Sequence, residues 1–190
     1  ETSITRTLEL NAMTAADFDF VELYSCFPCV PKMARRILGW PWDRPATVFG
    51  GLTYGGGPIA NYMSHAIVSM VEKLRNEGRY GFLFANGGFA TDNHCIVLGS
   101  QSIAAASFPQ DFDYQAEAEA RRGPVPELVK DYAGPATIES YTVFYGRDGG
   151  PKAGVGVART PVGARTLAHV GVQDAGVLAL LCDRTVVPVG

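Results

Sequence analysis

Apolar positions recur at three- and four-residue spacing through Ile59, Tyr62, Met63, Ala66, Ile67, Met70, Val71 and Leu74. That period predicts an amphipathic helix, with Pro58 as its first residue and Gly78 as its stop. A second stripe, Val30, Met33, Ala34, Ile37 and Leu38, predicts a helix over residues 29–40, ended by Trp40-Pro41 and Arg44-Pro45. Residues 1–18 carry Ile4, Leu8, Leu10 and Met13 on a helical period. Between these stretches lie short apolar runs of strand type: residues 19–24, 46–50, 80–88 and 94–100. Helix, strand, helix, strand, helix, strand, strand is the order of a layered α/β sheet.

The pattern changes near Phe108. Residues 109–126 are charged and proline-bounded and read as a linker or an exposed helix. From 136 to 170 the chain is rich in β-branched and aromatic residues, broken by the turn signals "GRDGGP" and "TPVGAR". A short helix over 174–183 and a final strand over 184–189 complete the expectation. The domains are therefore drawn as an α/β domain at 1–106, a linker at 107–134 and a small β-rich domain at 135–190.

Composition narrows the function classes. The chain has 190 residues, 47% of them apolar and 18% charged, with a net charge of −3. Such a chain folds around a core and lacks the basic face that phosphate backbones require, so nucleic acid is not an expected partner. No apolar run approaches the length of a membrane span. Four cysteines do not build a disulfide framework, which makes a reducing cytoplasm the default location. The chain opens without a recognisable natural start and is expected to be a piece of something longer.

Three stretches offer chemistry. Residues 47–66 hold five glycines before the regular helix. Glycine is costly in regular structure, so the cluster implies either strained turns or a place where a ligand lies on bare backbone, its acyl or anionic group facing a helix N-terminus. The spacing is neither a Walker loop nor a dinucleotide fingerprint. "CFPC", Cys26 to Cys29, has the form of a redox pair at a strand–helix junction, or of two thiols with no redox role. Of the three histidines, His65 falls within the regular helix, His169 in the β-rich tail, and His94 beside Cys95 at the end of a loop. No grouping has metal-ligand spacing.

"DFDFVELYSCF", then "GGLTYGGGP" entering a long helix, then "ANGG" between two strands, resembles the C-terminal half of the thiolase superfamily, in its sterol-carrier and acetyl-CoA acetyltransferase branch. The tail resembles the extra C-terminal domain of mycobacterial thiolase-like proteins, of oligonucleotide-binding (OB-like) shape. The resemblance implies an α/β thiolase-like half, a layered α/β/α sheet followed by a small β-rich domain. It also implies an acyl-CoA ligand and an N-terminal half, in the same or a separate chain, that carries the nucleophilic cysteine. A homo-oligomer is expected as well, and coenzyme A enters as substrate rather than as a tightly bound cofactor.

The resemblance further implies where function has changed. Tyr24 stands where the family places an asparagine or histidine, Gly57 where it places the histidine of Gly-His-Pro, and Ala85 where it places the acid/base cysteine. Cys26 is then the motif cysteine of the family. Gly55, Gly56, Gly57 and Pro58 form the expected acyl-thioester loop, and His94 and Cys95 are the candidate substitutes for the missing acid/base groups. Whether the chain is an enzyme stays open between three readings. It binds acyl thioesters with thiolysis lost or altered, or it transfers acyl groups through substitutes. Alternatively it is a scaffold whose tail, with Arg147, Lys152, Arg159 and Arg165 among Tyr141, Phe144 and Tyr145, recruits a lipid, a protein or a nucleic acid.

Overall fold

The computed structural model describes residues 1–102 and 113–190; the part of the expected linker between them lies outside the described residues. The chain divides into two compact units, residues 1–122 and 123–190.

The first unit is built on a three-stranded sheet in the order β1-β2-β3: β1 Phe20–Tyr24, β2 Tyr80–Gly87 and β3 Asp92–Gly99. β1 runs parallel to β2, which requires a crossover, and β2 pairs antiparallel with β3 through a tight turn. One face of the sheet carries Val21, Leu23, Phe82, Phe84 and Cys95. It packs on α1 (Thr2–Leu10) and α2 (Cys29–Leu38) through Ile4, Val30, Ala34 and Leu38. The other face carries Phe20 and Leu83 against Met70 and Leu74 of α4 (Tyr62–Asn76). Alternation along each strand sends successive side chains to these two separate cores. A last helix, α5, spans Gln115–Arg121.

Three sequence expectations are corrected here. The apolar run at 46–50 is not a strand. Its amides at Val48 and Phe49 donate to the Glu22 carboxylate instead of to a ladder. The long helix does not begin at Pro58 but at Tyr62, with Asn61 as its cap. Upstream lies a five-residue helical turn, α3 (Gly51–Gly55), and then a kinked segment in which Gly56, Gly57 and Ala60 all have positive φ, a conformation no helix propagates. The first helix stops at Leu10, because Ala12 is left-handed and Ala15–Asp17 form a separate 3₁₀ turn.

The second unit is an antiparallel meander of β4 (Thr137–Tyr145), β5 (Pro151–Arg159) and β6 (Arg165–Val170), followed by α6 (Ala175–Cys182). Gly154 lets α6 approach β5, since a Cβ there would stand 2.7 Å from Leu181. The strand expected at 184–189 does not form. The described residues there are turn and irregular chain, and the Gly190 amide donates to the Ile138 carbonyl. No described helix is long and apolar enough to cross a membrane.

Candidate functional site

Tyr24, Ala85 and His94 form one row across the sheet: Tyr24 pairs with Ala85, and Ala85 with His94. Neighbours in register share a face, and here it is the face that carries α4. Tyr24, at the end of β1, stacks on Tyr62, the first residue of α4, with ring centroids 4.2 Å apart and planes at 22°. Partial burial raises the Tyr24 phenol above its ordinary pKa, so it is a neutral hydrogen-bond donor at physiological pH. Ala85 is half-buried in the middle of the row, and His94 is exposed at its edge.

The glycine loop adjoins this row through aromatic rings. Phe49 packs edge-on to Tyr62 at 5.2 Å and to Tyr54 at 5.7 Å, and stacks on His65 at 5.5 Å. Gly55 sits against the same group: a Cβ there would come within 2.5 Å of the Phe49 ring and 3.4 Å of Tyr62. Gly56 and Gly57 are exposed with φ of 70° and 66°, and Pro58 is half-buried beside them. The glycines therefore meet two needs, close approach at Gly55 and left-handed backbone at Gly56 and Gly57. Since α4 starts four residues after Pro58, its N-terminus is not at the glycines as the sequence suggested.

His94 and Cys95 face different surroundings, although both line one cavity. Adjacent on one strand, they project to opposite faces, and Cys95 packs into the core with α1. Burial raises its thiol to about 11, against the opposing effect of hydrogen bonds with Ser3 and Thr7. A cavity of about 330 Å³ opens beside it, lined by Ser3, Thr7, Asn93 and both His94 and Cys95 among others, and by no residue of the glycine loop. Cys26 and Cys29 are both exposed free thiols, Cys29 being the first residue of α2. Among the described residues no group of histidine, cysteine or carboxylate side chains could hold a metal ion.

In the tail, Arg159 and Arg165 are both tied to Glu139, at 2.5 and 2.6 Å. These hydrogen bonds hold the Glu139 carboxyl below its ordinary pKa. Phe144 and Tyr145 are exposed on β4, and the Tyr145 hydroxyl lies 3.7 Å from Cys182 Sγ. His169 is exposed on β6.

Sequence reasoning missed Glu22. Its side chain is wholly buried and accepts hydrogen bonds from the Thr47 hydroxyl at 2.8 Å, the Val48 amide at 2.9 Å, the Phe49 amide at 3.0 Å and the Tyr62 hydroxyl at 2.7 Å. The available signal was a lone carboxylate inside the apolar run "FVELY".

A solved structure of a monomeric SCP2-thiolase-like protein type 1 from Mycobacterium smegmatis superposes with a TM-score of 0.78 at 30% identity, over 93% of this chain. The fold is thiolase-like. The chain spans 40% of the length of that structure. Residues 115–190 match the family described as the thiolase-like protein type 1 additional C-terminal domain. No curated protein matches the chain. In this thiolase-like chain the three positions at which the motifs imply altered chemistry divide cleanly: Tyr24 and Ala85 share the row, and Gly57 lies in the exposed part of the loop.

Proposed function

We propose that this thiolase-like chain binds an acyl thioester of coenzyme A on the α4 face, together with an N-terminal thiolase half, and that ordinary thiolysis is lost or altered in it. The observation that carries this reading is the row Tyr24–Ala85–His94 beside the glycine loop. Claisen chemistry needs a group that removes a proton alpha to the thioester and donors that hold the enolate oxygen. The methyl of Ala85 and the bare Gly57 do neither. Binding needs less: exposed backbone at Gly56 and Gly57, and the neutral phenol of Tyr24 as a donor. Coenzyme A is then a ligand rather than a resident cofactor. A cytoplasmic location fits, because four unpaired thiols persist in a reducing compartment.

One observation favours a second reading, acyl transfer with a substitute acid/base. His94 is the one titratable side chain of the row besides Tyr24, and it is exposed to a ligand. Cys95, the other candidate substitute, packs toward α1 and meets His94 only in the lining of the cavity there. Calorimetric titration with coenzyme A and acetyl-CoA, with a thiolysis assay on acetoacetyl-CoA, separates the two. Binding without turnover is expected. Turnover that disappears in His94→Ala would establish the second reading, and no binding by the chain, alone or joined to its N-terminal half, would end both.

A further inference from the structure

Glu22 is a buried carboxylate with no cation beside it: among the described residues no lysine, arginine or histidine pairs with it. Burying such a charge is costly unless hydrogen bonds replace its water. Here the replacements are all neutral donors, and they arrive from two directions. Thr47, Val48 and Phe49 come from the segment that leads into the glycine loop, while Tyr62 comes from the start of α4.

Each direction ends at the candidate site. The Phe49 amide is held by Glu22, the Phe49 ring packs on Tyr54 and Tyr62, and Gly55 lies against that ring. The Tyr62 hydroxyl is held by the other carboxylate oxygen, and the Tyr62 ring carries Tyr24. One side chain thereby fixes both the backbone of the loop and the phenol that faces it. We propose that Glu22 is the positioning residue of this site, setting the glycine loop and the Tyr24 ring in register without itself touching ligand. The proposal rests on the acyl-thioester reading above.

The test compares Glu22→Gln, Thr47→Val and Thr47→Ser with wild type by hydrogen–deuterium exchange over residues 47–57 and by titration with acetyl-CoA. Glu22→Gln keeps the shape and removes the charge, and Thr47→Val removes one donor and leaves the carboxylate in place. Faster exchange over 47–57 with α4 and the sheet unchanged is expected in both. Acetyl-CoA affinity should fall roughly tenfold, the size of one hydrogen bond to a charged group. Thr47→Ser, which keeps the hydroxyl, should behave as wild type, whereas a merely space-filling role for Thr47 would not be rescued by the smaller serine. Wild-type exchange and affinity in a folded Glu22→Gln overturn the proposal. If Glu22→Gln does not fold, wild-type behaviour of Thr47→Val overturns it instead. If wild type binds no acetyl-CoA, the acyl-thioester reading fails and this role falls with it, while exchange over 47–57 still decides whether Glu22 fixes the loop.

Discussion

Tyr24 lies flat on Tyr62, and the hydroxyl of Tyr62 donates a 2.7 Å hydrogen bond to the buried carboxylate of Glu22. The contact joins the end of a strand to the start of a helix 38 residues later, and its ring centroids are the closest among the described residues. Tyr62→Phe keeps the ring and deletes the hydrogen bond, leaving Glu22 one donor short. A loss of about 1.5–3 kcal/mol is expected, as for hydrogen bonds to charged groups, read from urea denaturation. The same phenol gives a signature at high pH. Burial and Glu22 raise its pKa above the ordinary value of 10.0. Its contribution to stability is complete below that value and is lost as pH climbs beyond it, because the unfolded chain releases the proton first. Tyr62→Phe should flatten that alkaline loss.

Three of the four cysteines should separate kinetically. Cys26 and Cys29 are exposed, and Cys95 is packed against α1 with its thiol raised to about 11. Alkylation requires the thiolate. Iodoacetamide at neutral pH, followed by peptide mass spectrometry, should label Cys26 and Cys29 well before Cys95. Prompt labelling of Cys95 in the folded chain would contradict its placement in the core.

Placing at Gly57 the histidine that the resemblance implies there is not expected by itself to give thiolysis. The position has φ of 66°, left-handed backbone that strains a side-chain-bearing residue by roughly 1–2 kcal/mol. Histidine is among the residues that tolerate it better, so Gly57→His should fold with a modest drop in denaturation midpoint. Ala85 would still lack a proton-carrying side chain. Turnover on acetoacetyl-CoA with the N-terminal half present is expected of the double variant Gly57→His, Ala85→Cys and not of Gly57→His alone; equal rates in the two would contradict the role assigned to Ala85.

How much of this was legible in the sequence follows from which interactions set each element. The strands around Val21, Phe82 and Val97 and the helix through Ala66, Met70 and Leu74 form because of periodic burial, and periodicity is what a sequence displays. Val48 and Phe49 look equally strand-like, yet their amides are taken by Glu22 from 26 and 27 residues away. No local pattern carries that competition. Pro58 was a sound helix-start signal, but the positive φ of Ala60 lies just beyond it and postpones the helix to Tyr62. At the site, motif order implies Tyr24, Ala85 and Gly57 as altered positions, whereas the opposite facing of His94 and Cys95 follows from alternation within the strand already expected over 94–100.

Acid stability isolates one further device, at the opposite end of the sheet from the Tyr24 row. The Asp19 carboxylate accepts the Arg79 amide at 2.6 Å and the Tyr80 amide at 3.2 Å, and its own amide donates to the Tyr80 carbonyl at 2.9 Å. It thus ties the entrance of β1 to that of β2, beside Gly78 of the α4–β2 connection, whose φ is 82°. The Arg79 amide is the main cause that holds the Asp19 pKa below its ordinary value of 3.8, ahead of the Tyr80 amide and the charges of Arg79 and Arg44. A depressed pKa means that the stabilisation is full above 3.8 and is lost as pH falls through the lower, folded value. Asp17 titrates in the same region, lowered by its hydrogen bonds with Thr14, so wild-type acid unfolding alone does not assign the effect. The difference between wild type and Asp19→Asn does. The variant should be less stable at neutral pH, the gap should close below pH 3.8, and hydrogen exchange should speed up at the Arg79 and Tyr80 amides. A gap that stays constant from neutral to acid pH would show that the side chain acts there through shape and not through charge.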